Sequence, residues 1–206
     1  MKPHYSRLSY RASRSQGFTL IELLIVIAIV AILASMIFAG STFALQKARK
    51  VEAQNLATGI AQGVEQFEVE YNRMPIPGSS RGQDWYGDTS EEFCIILTGK
   101  ETGGKIINKK KIDYLDGMKQ ANDGAGGIDR TQEDQPVVFD PWGNFFVVHI
   151  DGNYDKKLKN PEAAEEEGSD ELKGVRVAVL SKGEDSVAGG SNEDGEDATQ
   201  DNARSW

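Results

Sequence analysis

The chain has 206 residues, with 32 Asp and Glu against 23 Lys and Arg, a formal charge of −9 and a single cysteine. Excess acid argues against a nucleic acid partner, whose phosphates require clustered Lys and Arg, and against an anionic membrane surface as partner for the C-terminal part. One cysteine excludes an intramolecular disulfide.

The first seventeen residues carry Lys2, Arg7, Arg11 and Arg14 and no acid. A membrane-length apolar segment follows, Gly17-Phe18-Thr19-Leu20-Ile21-Glu22-Leu23-Leu24-Ile25-Val26-Ile27-Ala28-Ile29, and no charge follows Glu22 until Lys47. Leu23 to Leu45 is 23 residues without a charge. As a helix it would span about 35 Å, enough to cross the hydrocarbon core with some tilt. The basic flank places the N-terminus in the cytoplasm. A secretory signal peptide, with Ala28, Ala31, Ala34 and Ser35 as small residues for cleavage, competes with this reading. So does a generic signal anchor. Both leave Glu22 without a role, although a carboxylate in hydrocarbon costs several kcal/mol and calls for a partner.

A basic leader, Gly17, and then Phe18-Thr19-Leu20-Ile21-Glu22 resemble the class III leader of type IV pilins and type II secretion pseudopilins, gap-free from Gly17 to about Ala34. The resemblance implies an α+β, type IV pilin-like fold: a long N-terminal helix packed on a small antiparallel sheet. It also implies a prepilin peptidase and methyltransferase that cuts between Gly17 and Phe18 and methylates Phe18. Glu22 would then set the axial register of a helical filament by meeting the terminal amine of a neighbouring subunit. Other pseudopilins and an inner-membrane assembly platform follow as partners. The chain departs from the family at Ala39, commonly proline, and at Ala31, commonly glycine. Without proline the helix keeps its hydrogen bonds at Ala39.

Beyond Leu45, the residues Leu56, Ile60, Val64, Phe67 and Tyr71 recur at helical spacing, opposite Gln54, Thr58, Gln62, Glu65 and Glu68. One helix is expected from Thr19 to Tyr71, stopped by the prolines of Met74-Pro75-Ile76-Pro77. The expected organisation is a leader over 1–17, a helix over 18–72 that is transmembrane at about 20–45, and an exported domain over 73–206.

Ser79 to Gln135 is rich in Gly, Ser, Asp and Asn. Phe93–Leu97 reads as a short helix or strand, with Cys94 as a buried small hydrophobe. A reactive thiol would need an electropositive setting. Lys105-Ile106-Ile107-Asn108-Lys109-Lys110-Lys111 is a basic cluster, either a solvated face or an intersubunit contact. Asp123–Gly127 lacks the spacing of a phosphate loop. Val137–Phe139 and Phe145–Ile150 read as strands joined by the turn Asp140-Pro141-Trp142-Gly143-Asn144, an element that recurs in major pseudopilins. Val175–Ser181 reads as a third strand. The charged insert Asp151–Gly174 contains Asp151, Asn153 and Asp155 at EF-hand spacing with Glu162 at the twelfth position. Lys156 stands where that loop needs glycine, so a polar turn is the favoured reading.

The C-terminal stretch 181–206 holds Ser181-Lys182-Gly183-Glu184-Asp185, Gly189-Gly190, Glu193-Asp194-Gly195-Glu196-Asp197 and Asp201-Asn202-Ala203-Arg204-Ser205-Trp206. It resembles the calcium loop of the major pseudopilin (protein G type). That resemblance implies Ca²⁺ held by Asp185 and Asp201, with Ser181, Asp194 and Asp197 as further candidates and Trp206 anchoring the end. Asn202 stands where the family has a second Asp. A disordered acidic tail is the alternative.

No catalytic constellation emerges: His149 is the one histidine outside the leader, and no enzyme activity is expected. Three functions compete. The first is a structural subunit of a periplasmic pseudopilus for type II secretion, anchored in the bacterial inner membrane. The second is a type IV pilin or minor pilin for adhesion, motility or DNA uptake. The third is a membrane-tethered hydrolase or binding module using a prepilin-type leader.

Overall fold

The computed structural model describes residues 18–78, 82–163, 171–189 and 201–206, without the side chains of 36–42 and Glu91. The chain divides into two compact units, Met1–Ala44 and Leu45–Trp206. Helix α1 runs Leu20–Tyr71 as 52 continuous residues, starting one residue after the expected position and ending at it. Its end is set by Asn72, which takes a left-handed φ of 51° while its N–H closes on the Glu68 carbonyl. Asn tolerates that conformation, and Pro75 follows as a stop.

In the first unit, every large apolar side chain of α1 from Leu20 to Leu33 is half or more exposed, from 50% at Val26 to 83% at Leu20. No helix among the described residues is long and apolar enough to cross a membrane. The charge-free run Leu23–Leu45 includes 36–42, whose side chains lie outside the description.

In the second unit, the expected apolar face of α1 is buried. Ile60, Val64 and Phe67 are fully covered and Leu56 nearly so, while Tyr71 packs at the margin. The buried face is wider than the apolar spacing alone indicates, because Ala53, Ala57 and Ala61 lie under it too. Gly63 has a packing reason: a Cβ there would meet Leu115 Cδ2 and the Tyr114 carbonyl oxygen at 3.1 Å. The loop over 113–118 therefore lies directly on the helix.

Opposite this face stands a four-stranded antiparallel sheet of order β1-β4-β7-β8, formed by β1 (Trp85–Asp88), β4 (Val147–Ile150), β7 (Val177–Ser181) and β8 (Ala203–Arg204). Val148, Ile150, Val177 and Val179 enter the same core as Phe67 and Phe93. The fold is therefore α+β, with the N-terminal helix packed on a small antiparallel sheet, as in type IV pilins. Phe93–Leu97 falls in a helix, α2 (Glu91–Thr98), closed by Gly99 at φ 69°. Cys94 is buried and bonds the Thr89 carbonyl at 3.3 Å.

The two strands flanking the Asp140–Asn144 turn do not stay together as a hairpin. Strand β3 (Val137–Phe139) pairs with β2 (Gly127–Asp129), whereas β4 lies between β1 and β7, and Phe139 opposite Phe145 is the one bridge at the turn among the described residues. The insert forms its own hairpin, β5 (Lys157–Lys159) with β6 (Glu171–Lys173), fixed to the body through buried Leu158.

Candidate functional site: the processed N-terminus and the C-terminal clasp

At the N-terminus, Gly17 lies outside the described residues, and Phe18 is exposed. Thr19 and Glu22 close on each other. The Thr19 N–H and hydroxyl donate to Glu22 Oε2 at 2.9 and 2.7 Å, and the Glu22 N–H donates back to Thr19 Oγ1 at 3.3 Å. This is a reciprocal capping box, in which side chains satisfy backbone donors that the first helical turn leaves open. The spacing Thr-x-x-Glu signals such a box, and the sequence reading passed over it. Glu22 thus has a local role, starting the helix, which is compatible with a second role between subunits.

Residues 12–38 match the family model described as the prokaryotic N-terminal methylation motif. The N-terminus is a type IV pilin-like prepilin leader. The match supports the family of pilins and pseudopilins as a whole. A prepilin leader makes the chain a substrate of prepilin peptidase, marks it for filament assembly, and points to a membrane-anchored protein with an exported domain. No curated protein and no solved structure matches the chain.

The C-terminal site is built from four separated segments. Asp140 and Ser181 are fully buried, and the Ser181 hydroxyl donates to Asp140 Oδ2 at 2.7 Å. Asp140 Oδ1 accepts the Trp142 and Asn144 N–H groups at 2.9 and 2.8 Å, which shapes the turn. Burial pushes the Asp140 carboxyl up from its ordinary range, and the donors from Ser181, Asn144 and Trp142 partly offset this. Asn144 reaches on to the loop: its Nδ2 donates to the Gly183 carbonyl at 3.1 Å and its Oδ1 accepts from Ser186 Oγ at 3.0 Å. Two stretches that the sequence reading treated separately, the turn at 140–144 and the loop at 181–186, therefore form one structure.

Asp201 closes that loop. Its Oδ2 accepts the N–H groups of Glu184 at 2.5 Å and Asp185 at 3.3 Å. Gly183 is required there, because a Cβ would fall 2.3 Å from the Asp201 carboxyl carbon and the residue holds φ at 71°. The Asp185 carboxylate accepts the Val187 N–H at 2.9 Å. Asp185 and Asp201 are thus brought together with the Ser181–Ser186 loop, although Ser181 itself turns to Asp140. Asp194 and Asp197 lie outside the described residues, and among those described no three acidic, histidine or cysteine side chains form a metal-holding group. The donor chemistry nevertheless suits a hard cation. The Asn202 side-chain oxygen is buried and accepts no hydrogen bond among the described residues, and carboxylates with an amide oxygen are the ligands Ca²⁺ takes.

Glu162 has a role that sequence spacing did not indicate. It stands at the twelfth position of the EF-hand-like run, and that run is a polar turn, as expected. There Asp151 accepts the N–H groups of Tyr154 and Lys156, and Asn153 and Asp155 accept those of Asp155 and Lys157. Glu162 instead grips the C-terminal strand. Arg204 Nε and Nη2 meet its two oxygens at 2.8 and 2.6 Å, and Asn202 Nδ2 donates to it at 3.2 Å and to the Ala188 carbonyl at 2.6 Å. Such a fork supplies two parallel charge-assisted bonds. Trp206 does not anchor the end by burial, since its side chain is exposed. The end is held by β8 against β7 and by Ser205, whose N–H donates to the Val179 carbonyl at 3.0 Å and whose hydroxyl accepts the Val179 N–H at 2.9 Å.

Proposed function

We propose that the chain is a structural subunit of a periplasmic pseudopilus that drives protein export by type II secretion. It is anchored in the inner membrane with its N-terminus cytoplasmic and assembles after cleavage at Gly17–Phe18, with other pseudopilins and an inner-membrane platform as partners. The role is structural rather than catalytic. The observation that carries the pseudopilus reading is the junction of the Asp140–Asn144 turn with the C-terminal loop. It ties the exported end by hydrogen bonds and an ion pair, with no disulfide possible from a single buried cysteine. Ca²⁺ is proposed as a further staple on this loop, held by Asp185 and Asp201, with Asn202 in place of a second aspartate and Asp194 and Asp197 as additional carboxylates. Bound there, the ion would supply positive charge against the seven carboxylates between Glu184 and Asp201.

Deleting the gene tests the function. Exported enzymes should accumulate in the periplasm, with twitching, adhesion and DNA uptake unchanged, and the wild-type gene should restore release. Normal secretion together with lost surface pili would overturn the pseudopilus role in favour of a pilin.

A further inference from the structure

The basic cluster at 105–111 takes no part in the clasp or in the N-terminal capping box, and its geometry is unlike that of a loose solvated run. Its backbone is fixed from beneath. Asn108 is fully buried: its Nδ2 donates to the Ile96 and Ile112 carbonyls at 2.9 and 2.7 Å, and its Oδ1 accepts the Tyr71 hydroxyl at 2.9 Å. The Glu101 carboxylate accepts the N–H groups of Ile107 and Asn108 at 2.8 and 2.6 Å, and the Lys110 N–H donates to the Tyr71 hydroxyl at 2.8 Å. At the far end Gly99 touches the Lys111 backbone so closely that a Cβ would sit 2.7 Å from it.

On this braced loop Lys105, Lys109, Lys110 and Lys111 are all exposed. Lys110 pairs with Glu70 of α1. Among the described residues, the other three have no ion-pair partner. Three cations without an ion-pair partner among the described residues thus stand on a loop of fixed backbone, in a chain whose formal charge is −9. The opposite charge is concentrated elsewhere in the same chain. Glu193-Asp194-Gly195-Glu196-Asp197 lies in a stretch with no Lys or Arg between Lys182 and Arg204. A single divalent cation on the seven carboxylates from Glu184 to Asp201 would still leave a net charge of −5 (−7 + 2).

We propose that the braced lysines Lys105, Lys109 and Lys111 form a docking surface for the acidic segment 193–197 of a second copy of this chain. The two patches occupy different places in the sequence, so the contact is heterologous: each copy offers lysines to one neighbour and carboxylates to another. A contact of that kind passes from copy to copy and, where its rotation does not close into a ring, propagates as an open helical array. This inference rests on the filament reading and adds to it a side contact between exported domains. Electrostatic complementarity of this sort selects partner and register more than it adds affinity, and because the charges are exposed it weakens with salt over a Debye length of about 8–10 Å.

The test uses the full chain, expressed with its processing and assembly machinery. Lys109→Glu with Lys111→Glu should lower sheared filament yield about tenfold, as expected when two exposed attractive pairs become repulsive. Glu193→Lys with Glu196→Lys should do the same, and combining the four changes should restore most of the yield. The lysines are exposed, so the Lys109→Glu, Lys111→Glu variant should melt with wild type. A Lys109→Cys, Glu196→Cys chain should give disulfide-linked multimers in filaments, with buried Cys94 silent. Wild-type yield from the lysine reversal, with no cross-link, would overturn the docking surface and leave the filament reading standing. Loss of yield that the combined reversal does not restore would assign the lysines another partner and also overturn it. No filaments from the processed wild-type chain would overturn both readings.

Discussion

Along helix α1 the apolar residues meet two different fates. From Leu20 to Leu33 each large apolar side chain is half or more exposed, whereas Ile60, Val64 and Phe67 are fully covered. The second stretch finds its cover inside the chain, on α2, the 113–118 loop and the β4–β7 face. The first finds none within the described residues. Exposed apolar surface on that scale marks a contact with lipid or with other chains. The polar groups divide in the same way. In the exported domain Asp140, Asp201 and Glu162 all bond within the chain. At the N-terminus Glu22 has Thr19 alone as a side-chain partner among the described residues, next to the prepilin-type leader.

Substitutions in the two stretches should therefore fail in different ways. The largest effect is expected from Glu22→Leu, which should insert in the membrane at least as well as wild type and yet give almost no filaments in register. Wild-type yield and symmetry from that variant, by electron microscopy of sheared material, would remove Glu22 from assembly. Phe67→Ala should do the reverse. Deleting a fully buried ring costs about 3–5 kcal/mol, so the exported domain should melt well below wild type in detergent, with leader cleavage unaffected.

The long helix was legible in the sequence because its apolar period is strong over the whole of Leu56–Tyr71. Cysteine burial and the β4 and β7 strands were legible for the same reason, as apolar runs. Strand β1 was not, because Trp85-Tyr86-Gly87-Asp88 has no alternation and becomes a strand only by pairing with β4. Strand β8 is two residues long and exists through β7. At the site, Ser181, Asp185 and Asp201 could be singled out from spacing. The Asp140–Ser181 bond and the Glu162–Arg204 fork could not, because 41 and 42 positions separate the partners. A smaller effect tests the loop itself. At a hundredfold excess over its dissociation constant, a ligand bound only by the folded state stabilises it by about 2.7 kcal/mol. The chain should thus melt several degrees higher in millimolar Ca²⁺ than in chelator, with Mg²⁺ a poor substitute. Asp185→Ala should abolish the shift, and Asp155→Ala, in a turn remote in sequence, should leave it. A shift no larger than sodium chloride gives at equal ionic strength would leave the loop acidic and metal-free.

The smallest effect concerns His149, a further buried polar group that bonds within the second unit. Its Nδ1 lies 2.7 Å from the Lys159 carbonyl, which can only accept, so Nδ1 carries a proton. Burial, with Lys159 nearby, lowers its pKa below the ordinary value. A depressed folded pKa makes its contribution fully present above about pH 6.5 and lost as pH falls through the folded value. Melting temperature should decline over that acid range, and less so in His149→Gln. An equal decline in both would assign the loss to other groups.

Intact-mass spectrometry of the chain from membranes of cells that contain prepilin peptidase tests the central claim most directly. The account predicts a mature species that begins at Phe18 and carries one added methyl group. A chain that begins near Ser35, or one that keeps residues 1–17 in the presence of the peptidase, would contradict it.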